Sequence, residues 1–96
     1  MIKMISFEWD SEKNTLNKIK HGISFEYAQY AFQDSKRVMA KDIVHSIDED
    51  RYYCFGKVNG SIVTVRFTFR NNKIRIFGAG FWRKGKEAYE KENKIQ

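Results

Sequence analysis

Between Arg51 and Lys86 the chain carries nine lysines and arginines and not one aspartate or glutamate. Guanidinium groups grip phosphate oxygens in pairs, and ammonium groups supply a compact point charge. Tyr53, Phe55 and Phe77 are interleaved with these cations, and their rings offer faces on which unpaired bases stack. The chemistry on offer is therefore capture of a polyanion, nucleic acid above all. An acidic protein partner and a merely solvated basic face are the alternatives that the same charges allow. The net charge of +6 hides this asymmetry. Residues 51–96 hold 11 Lys/Arg against three Asp/Glu, whereas residues 1–50 hold seven against nine.

Groups that could move protons are few. His21 is the best candidate acid or base, because an unperturbed imidazole titrates near neutrality; just before Gly22 it is equally suited to capping helix carbonyls. Lys20 beside it is a candidate phosphate ligand. His45 falls near a strand end and reads as structural or exposed. Glu49, in the acidic run Asp48-Glu49-Asp50, reads as solvated. Cys54 is the only cysteine, so no internal disulfide can form, and with two histidines it makes a poor zinc set. No cofactor and no metal are expected.

These groups need a scaffold, and 96 residues suffice for one domain, 1–96, but not for two. No apolar run is long enough to span a bilayer, and Met1–Ile5 lacks the pattern of a signal peptide. A reducing cytoplasm is the expected compartment. Ile2 to Trp9 reads as a strand. Asp10 offers an N-cap for a helix over 11–21 whose apolar residues, Leu16 and Ile19, share one face. Ser24 caps a second helix carrying Phe25, Ala28 and Phe32. Arg37 to Val44 is a strand candidate, two hairpins follow, and the residues from Arg83 form a last helix. The fold class is α+β, in the order β-α-α-β-β-β-β-α, with an antiparallel sheet and helices packed on one face.

Asn59-Gly60 and Asn71-Asn72 are two-residue hairpin turns, and such turns set the register of their strands. Tyr53 then faces Arg66, Thr68 faces Arg75, Arg70 faces Lys73, and Arg66 faces Phe77. Because side chains alternate across a sheet, Tyr52, Cys54, Val63, Val65, Phe67, Phe69, Ile74 and Ile76 make the core face. Arg51, Tyr53, Phe55, Arg66, Arg70, Lys73 and Arg75 gather on the other. Cations this close repel unless an anion lies among them. Trp9, Trp82 and Tyr89 read first as packing anchors.

The chain resembles the BrnT family of bacterial type II toxins. The likeness is carried by Phe7-Glu8-Trp9-Asp10, Lys13, Asn17, Lys20-His21-Gly22 and Ser24-Phe25-Glu26. It continues through Asp34, His45, Glu49-Asp50-Arg51, Gly56, Val63 to Thr68, and Ile74-Arg75-Ile76. That resemblance implies a RelE-like fold, a translation-blocking ribonuclease and a BrnA-like antitoxin, with DNA contacted only through the antitoxin. Family members usually carry an arginine where this chain has Gly80, so either Arg83 or Lys84 takes over that charge or cleavage is weak. Joined to the residue reading, it makes His21, Arg51, Arg66 and Arg75 the expected catalytic set. Lys20, Tyr53, Arg70, Lys73, Arg83, Lys84 and Tyr89 are the expected RNA contacts. A non-catalytic RNA-binding module using the same face is the alternative.

Overall fold

A computed structural model describes residues 5–94; the expectations for Met1–Met4 and for the last two residues lie outside them. Strand β1 (Ser6–Trp9) leads into helix α1 (Ser11–His21), the short helix α2 (Phe25–Ala28) and a 3-10 helix (Gln29–Gln33). Strands β2 (Val38–Lys41), β3 (Tyr52–Val58), β4 (Ser61–Arg70) and β5 (Lys73–Gly80) follow, and helix α3 (Arg83–Glu92) closes the fold. The α+β class and the element order are as expected. Asp10 caps α1 by accepting from the backbone N–H groups of Glu12 and Lys13, and Gly22 ends it at φ 71°. The Ser24 hydroxyl caps α2 through the Tyr27 N–H at 3.1 Å.

The five strands lie in the order β1-β5-β4-β3-β2. The sheet is mixed rather than wholly antiparallel, because β1 runs parallel to β5. The intervening helices carry the chain across one face and return it to the opposite edge. That face is the core: Phe25, Ala28, Ala31 and Phe32 pack on Cys54, Val63, Val65, Phe67, Ile74 and Ile76. Burial pushes the Cys54 thiol up to about 12, which leaves it unreactive at neutral pH. Phe69, expected in this core, is 56% exposed beyond the covered end of the hairpin. Helix α3 crosses one end of the other face, where Tyr89 packs with Phe55 and Ile62. Its Gly85 permits this seat, because a Cβ there would run into Thr64 Oγ1 and stand 3.0 Å from Phe55 Cδ1.

Helix α1 is attached differently from the expectation of an apolar face. Leu16 and Ile19 point outward, 64% and 77% exposed. Two asparagines hold the helix instead. Asn14 Oδ1 accepts from the Phe25 N–H at 2.8 Å, and Asn17 Nδ2 donates to the carbonyls of Ile23 and Ala79 at 2.9 and 3.0 Å.

Asp34 ties three elements together. It accepts from the Tyr89 hydroxyl at 2.6 Å, the Lys57 N–H at 2.7 Å and the Lys36 N–H at 2.9 Å. Burial alone would raise its pKa, but these donors outweigh burial and hold the carboxyl below its ordinary 3.8. A carboxyl depressed on folding adds stability above its unfolded pKa and loses it as pH falls toward the folded one. Asp34→Asn should therefore flatten the loss of stability below about pH 4, as read by urea unfolding across pH. Tyr89→Phe should cost about 1.5 kcal/mol, typical of a hydrogen bond to a charged group; an unchanged urea midpoint would refute this role.

Candidate RNA-binding cleft

The basic face is built by β3, β4 and β5, and its register departs from the expected one at a single point. Tyr53 pairs with Arg66, Thr68 with Arg75 and Arg70 with Lys73, as expected. Arg66, however, faces Gly78 rather than Phe77, because Phe77 is an extra residue in β5 and forms a bulge. Bulges re-aim side chains in this way. The Arg66 stem crosses Gly78 so closely that a Cβ there would lie 3.3 Å from Arg66 Cδ. The Phe77 ring lies under the Arg51 guanidinium, 4.6 Å from its centroid, a distance suited to cation–π attraction.

A cleft of about 480 Å³ opens where α3 meets the sheet, lined by His45, Tyr53, Phe55, Thr64, Arg66, Trp82, Lys84 and Gly85. Two polar atoms in its wall, Arg66 Nε and Thr64 Oγ1, are shielded from solvent and have no hydrogen-bond partner among the described residues. Leaving such groups unmatched costs the folded state about 1–3 kcal/mol each. Tyr53 and Phe55 stack with ring centroids 5.8 Å apart, and Trp82 is 38% exposed. The cleft thus offers a guanidinium, an ammonium and aromatic faces.

His45 brings the titratable chemistry. Its Nδ1 lies 2.8 Å from Asp42 Oδ2, and its backbone N–H donates to the same carboxylate. Asp42 is 6% exposed. Burial raises its pKa, yet the bonds from His45 and the nearby Tyr53 hydroxyl outweigh burial and the net shift is downward. An ionised Asp42 makes Nδ1 the protonated nitrogen, so Nε2 is left as an acceptor. Tyr53 is pushed up by burial and by the Asp42 charge; it stays protonated at neutral pH and is a hydrogen-bond donor rather than a base.

His45 also borders a second hollow of about 510 Å³ with Ile47, Asp48, Glu49, Arg51 and Arg70. Glu49, expected to be solvated, accepts two bonds from Arg70 Nη2 at 3.0 and 3.1 Å and lies 3.8 Å from Arg51 Nη2. Arg75 on β5 donates to its cross-strand neighbour Glu8 of β1 at 2.6 Å. Lys73 is exposed at the hairpin tip.

Of the residues expected to act, Arg66, Tyr53 and Lys84 meet in the cleft, with Arg51 and Arg70 next to it across His45. His21 stands outside, its ring edge-on to Trp82 with centroids 5.1 Å apart. Lys20 is exposed at the end of α1, and Arg83 lies on the far side of Trp82. Tyr89 is only 2% exposed and its hydroxyl is committed to Asp34. His45 is exposed, as expected, and its ring is paired with Asp42, a partner whose i, i+3 spacing was the signal in the sequence. Trp82, read as a packing anchor, is exposed.

Among the described residues, no group of three His, Cys, Asp or Glu is placed to hold a metal ion, and no helix is long and apolar enough to cross a membrane. No curated protein matches the chain significantly. The family described as "Ribonuclease toxin, BrnT, of type II toxin-antitoxin system" matches residues 9–86.

Proposed function

The chain belongs to the BrnT family of ribonuclease toxins of type II toxin–antitoxin systems, and from that premise we propose that it cleaves RNA without a metal ion in the cleft beside Trp82. The observation that carries this reading is the convergence of Arg66, Lys84, His45 and the rings of Tyr53 and Trp82 on one cleft.

In this reading Arg66 and Lys84 hold the scissile phosphate, and the exposed ring of Trp82 and the half-buried ring of Tyr53 stack on the flanking bases. His45, oriented by Asp42, accepts the ribose 2′-hydroxyl proton at Nε2. The 2′-oxygen attacks phosphorus, the bond to the 5′-oxygen breaks, and a 2′,3′-cyclic phosphate remains. The departing 5′-oxygen takes its proton from solvent, since His21 stands outside the cleft beyond Trp82. Arg66 stabilises the charge that develops on the phosphorane, and Arg51 and Arg70 receive the next phosphate, with Lys73, Arg75 and Lys20 adding to the attractive field. Of the two cations that the resemblance offered in place of an arginine at Gly80, Lys84 is the one lining the cleft. Arg66 adds a guanidinium one cross-strand position away, since Thr64 pairs with Gly80 and Arg66 with Gly78.

A BrnA-like antitoxin silences this surface by laying carboxylates over the cations, and DNA is reached only through that partner. The site of action is the cytoplasm, where the substrate RNA lies.

The deciding experiment incubates purified protein with RNA in EDTA while translation is followed in parallel. The expected result is a ladder of fragments ending in 2′,3′-cyclic phosphate, together with arrested translation. Salt-dependent binding with intact RNA would establish the non-catalytic module instead. Asp42→Asn should lower kcat about tenfold with little change in KM, as expected for a group that orients a catalytic imidazole; an equal loss through KM alone would mean Asp42 only shapes the binding surface.

A further inference from the structure

Trp82 is a wall with two sides. On the side away from the cleft, a groove of about 530 Å³ is lined by Lys57, Ile62, Phe81, Arg83, Lys86 and Glu90, with Trp82 itself forming the shared edge. Three cations face one carboxylate there. Phe81 is 50% exposed, an aromatic face left to water at the rim of a basic groove. Trp82 is fixed between the two hollows. A Cβ on Gly80 would stand only 2.7 Å from its Cζ2, so the indole lies directly on the β5 backbone, and His21 closes its edge. Nothing in the proposed cleavage uses Lys57, Phe81 or Lys86.

We propose that this groove is a separate subsite for a nucleotide flanking the cleavage position, reached by an RNA strand that passes over Trp82. The proposal rests on RNA occupying the cleft and names where the strand continues. Single-stranded nucleic acid is held by cations that track its backbone and by aromatic rings that take successive bases. Lys57, Arg83 and Lys86 supply the cations, and Phe81 follows Trp82 as the next ring. An acidic peptide would satisfy the cations but leave both exposed rings unused.

The test compares a dinucleotide with an RNA several nucleotides longer, using wild type, Phe81→Ala and the double variant Lys57→Gln/Lys86→Gln. Binding is read by tryptophan fluorescence with oligonucleotides carrying a 2′-deoxyribose at the scissile position, so the readout does not need cleavage. Wild type should bind the longer strand more tightly. Phe81→Ala should lose about tenfold of that affinity, in the range of a single base stack. The double variant should lower the log–log salt slope by about 1.4, or 0.7 for each lost phosphate contact on a single strand. Both should leave dinucleotide binding and cleavage unchanged. Equal affinity of the long strand for all three proteins would overturn the subsite. So would equal losses on both substrates, or a loss confined to antitoxin binding. Failure of the catalytic reading is seen separately, as normal dinucleotide cleavage by His45→Ala.

Discussion

Arg66→Ala should reduce RNA cleavage by about a hundredfold to a thousandfold, the range for removing one preorganised donor from a developing oxyanion. The fold should barely register the change. Arg66 Nε is shielded and unpartnered among the described residues, so its removal deletes an unmet polar group, and the folded state gives up only the contact of the stem with Gly78. A loss of activity with an unchanged unfolding midpoint is therefore the signature of this residue. Arg66→Lys should rescue RNA binding but not the rate, because an ammonium lacks the planar fork of the guanidinium. Arg75→Ala should be milder, since Arg75 is already neutralised by Glu8 at 2.6 Å. The measurement is single-turnover cleavage of a defined RNA in EDTA, beside a urea melt of each variant. Arg66→Ala cleaving at the wild-type rate would place the reaction elsewhere on the face.

Gly56→Ala should have the largest effect on stability. Gly56 sits in β3 directly beneath the 3-10 helix, and a Cβ there would collide with the Ala31 carbonyl oxygen and lie 2.8 and 2.9 Å from Ala31 C and Cα. All three are backbone atoms, so no side chain can swing aside. Relief requires the helix to lift from the sheet, which would open the core formed by Ala31, Phe32 and Phe67. Overpacking of a core commonly costs about 1–3 kcal/mol and occasionally more; a rigid neighbour puts this site at about 3 kcal/mol. In a chain of this size that corresponds to a fall in Tm of roughly 12–24 °C. Thermal unfolding by circular dichroism reads it directly, and a drop of only a few degrees would show that the 3-10 helix yields easily.

Much of the sheet could be read from the chain because local chemistry dictated it. Asn59 and Asn71 both adopt positive φ, as two-residue hairpin turns require, and alternation then separated the core face from the basic face. What escaped was set by tertiary geometry. The bulge at Phe77 has no local mark beyond the following Gly78, yet it decides where Arg66 points. Pairing of β1 with β5 depends on residues some 67 positions apart, and no periodicity reports that. The polar attachment of α1 likewise hides in Asn14 and Asn17, which look like ordinary surface residues.

In the cleft, Arg66, Tyr53 and Lys84 were legible as cations and aromatics of one strand face and its continuation. The pairing of His45 with Asp42 was not, because Asp42 is buried by a turn that ends β2 early. The expected strand to Val44 stops at Lys41. From there the chain folds back, the Ser46 hydroxyl bonding the Asp42 carbonyl at 2.6 Å.

The parallel pairing of β1 with β5 also sets when, during synthesis, the cleft can form. A growing chain that has not yet emitted β5 lacks both the partner of β1 and the bulge that directs Arg66. Trp82 and Lys84 emerge later still, so a nascent chain has no complete cleft.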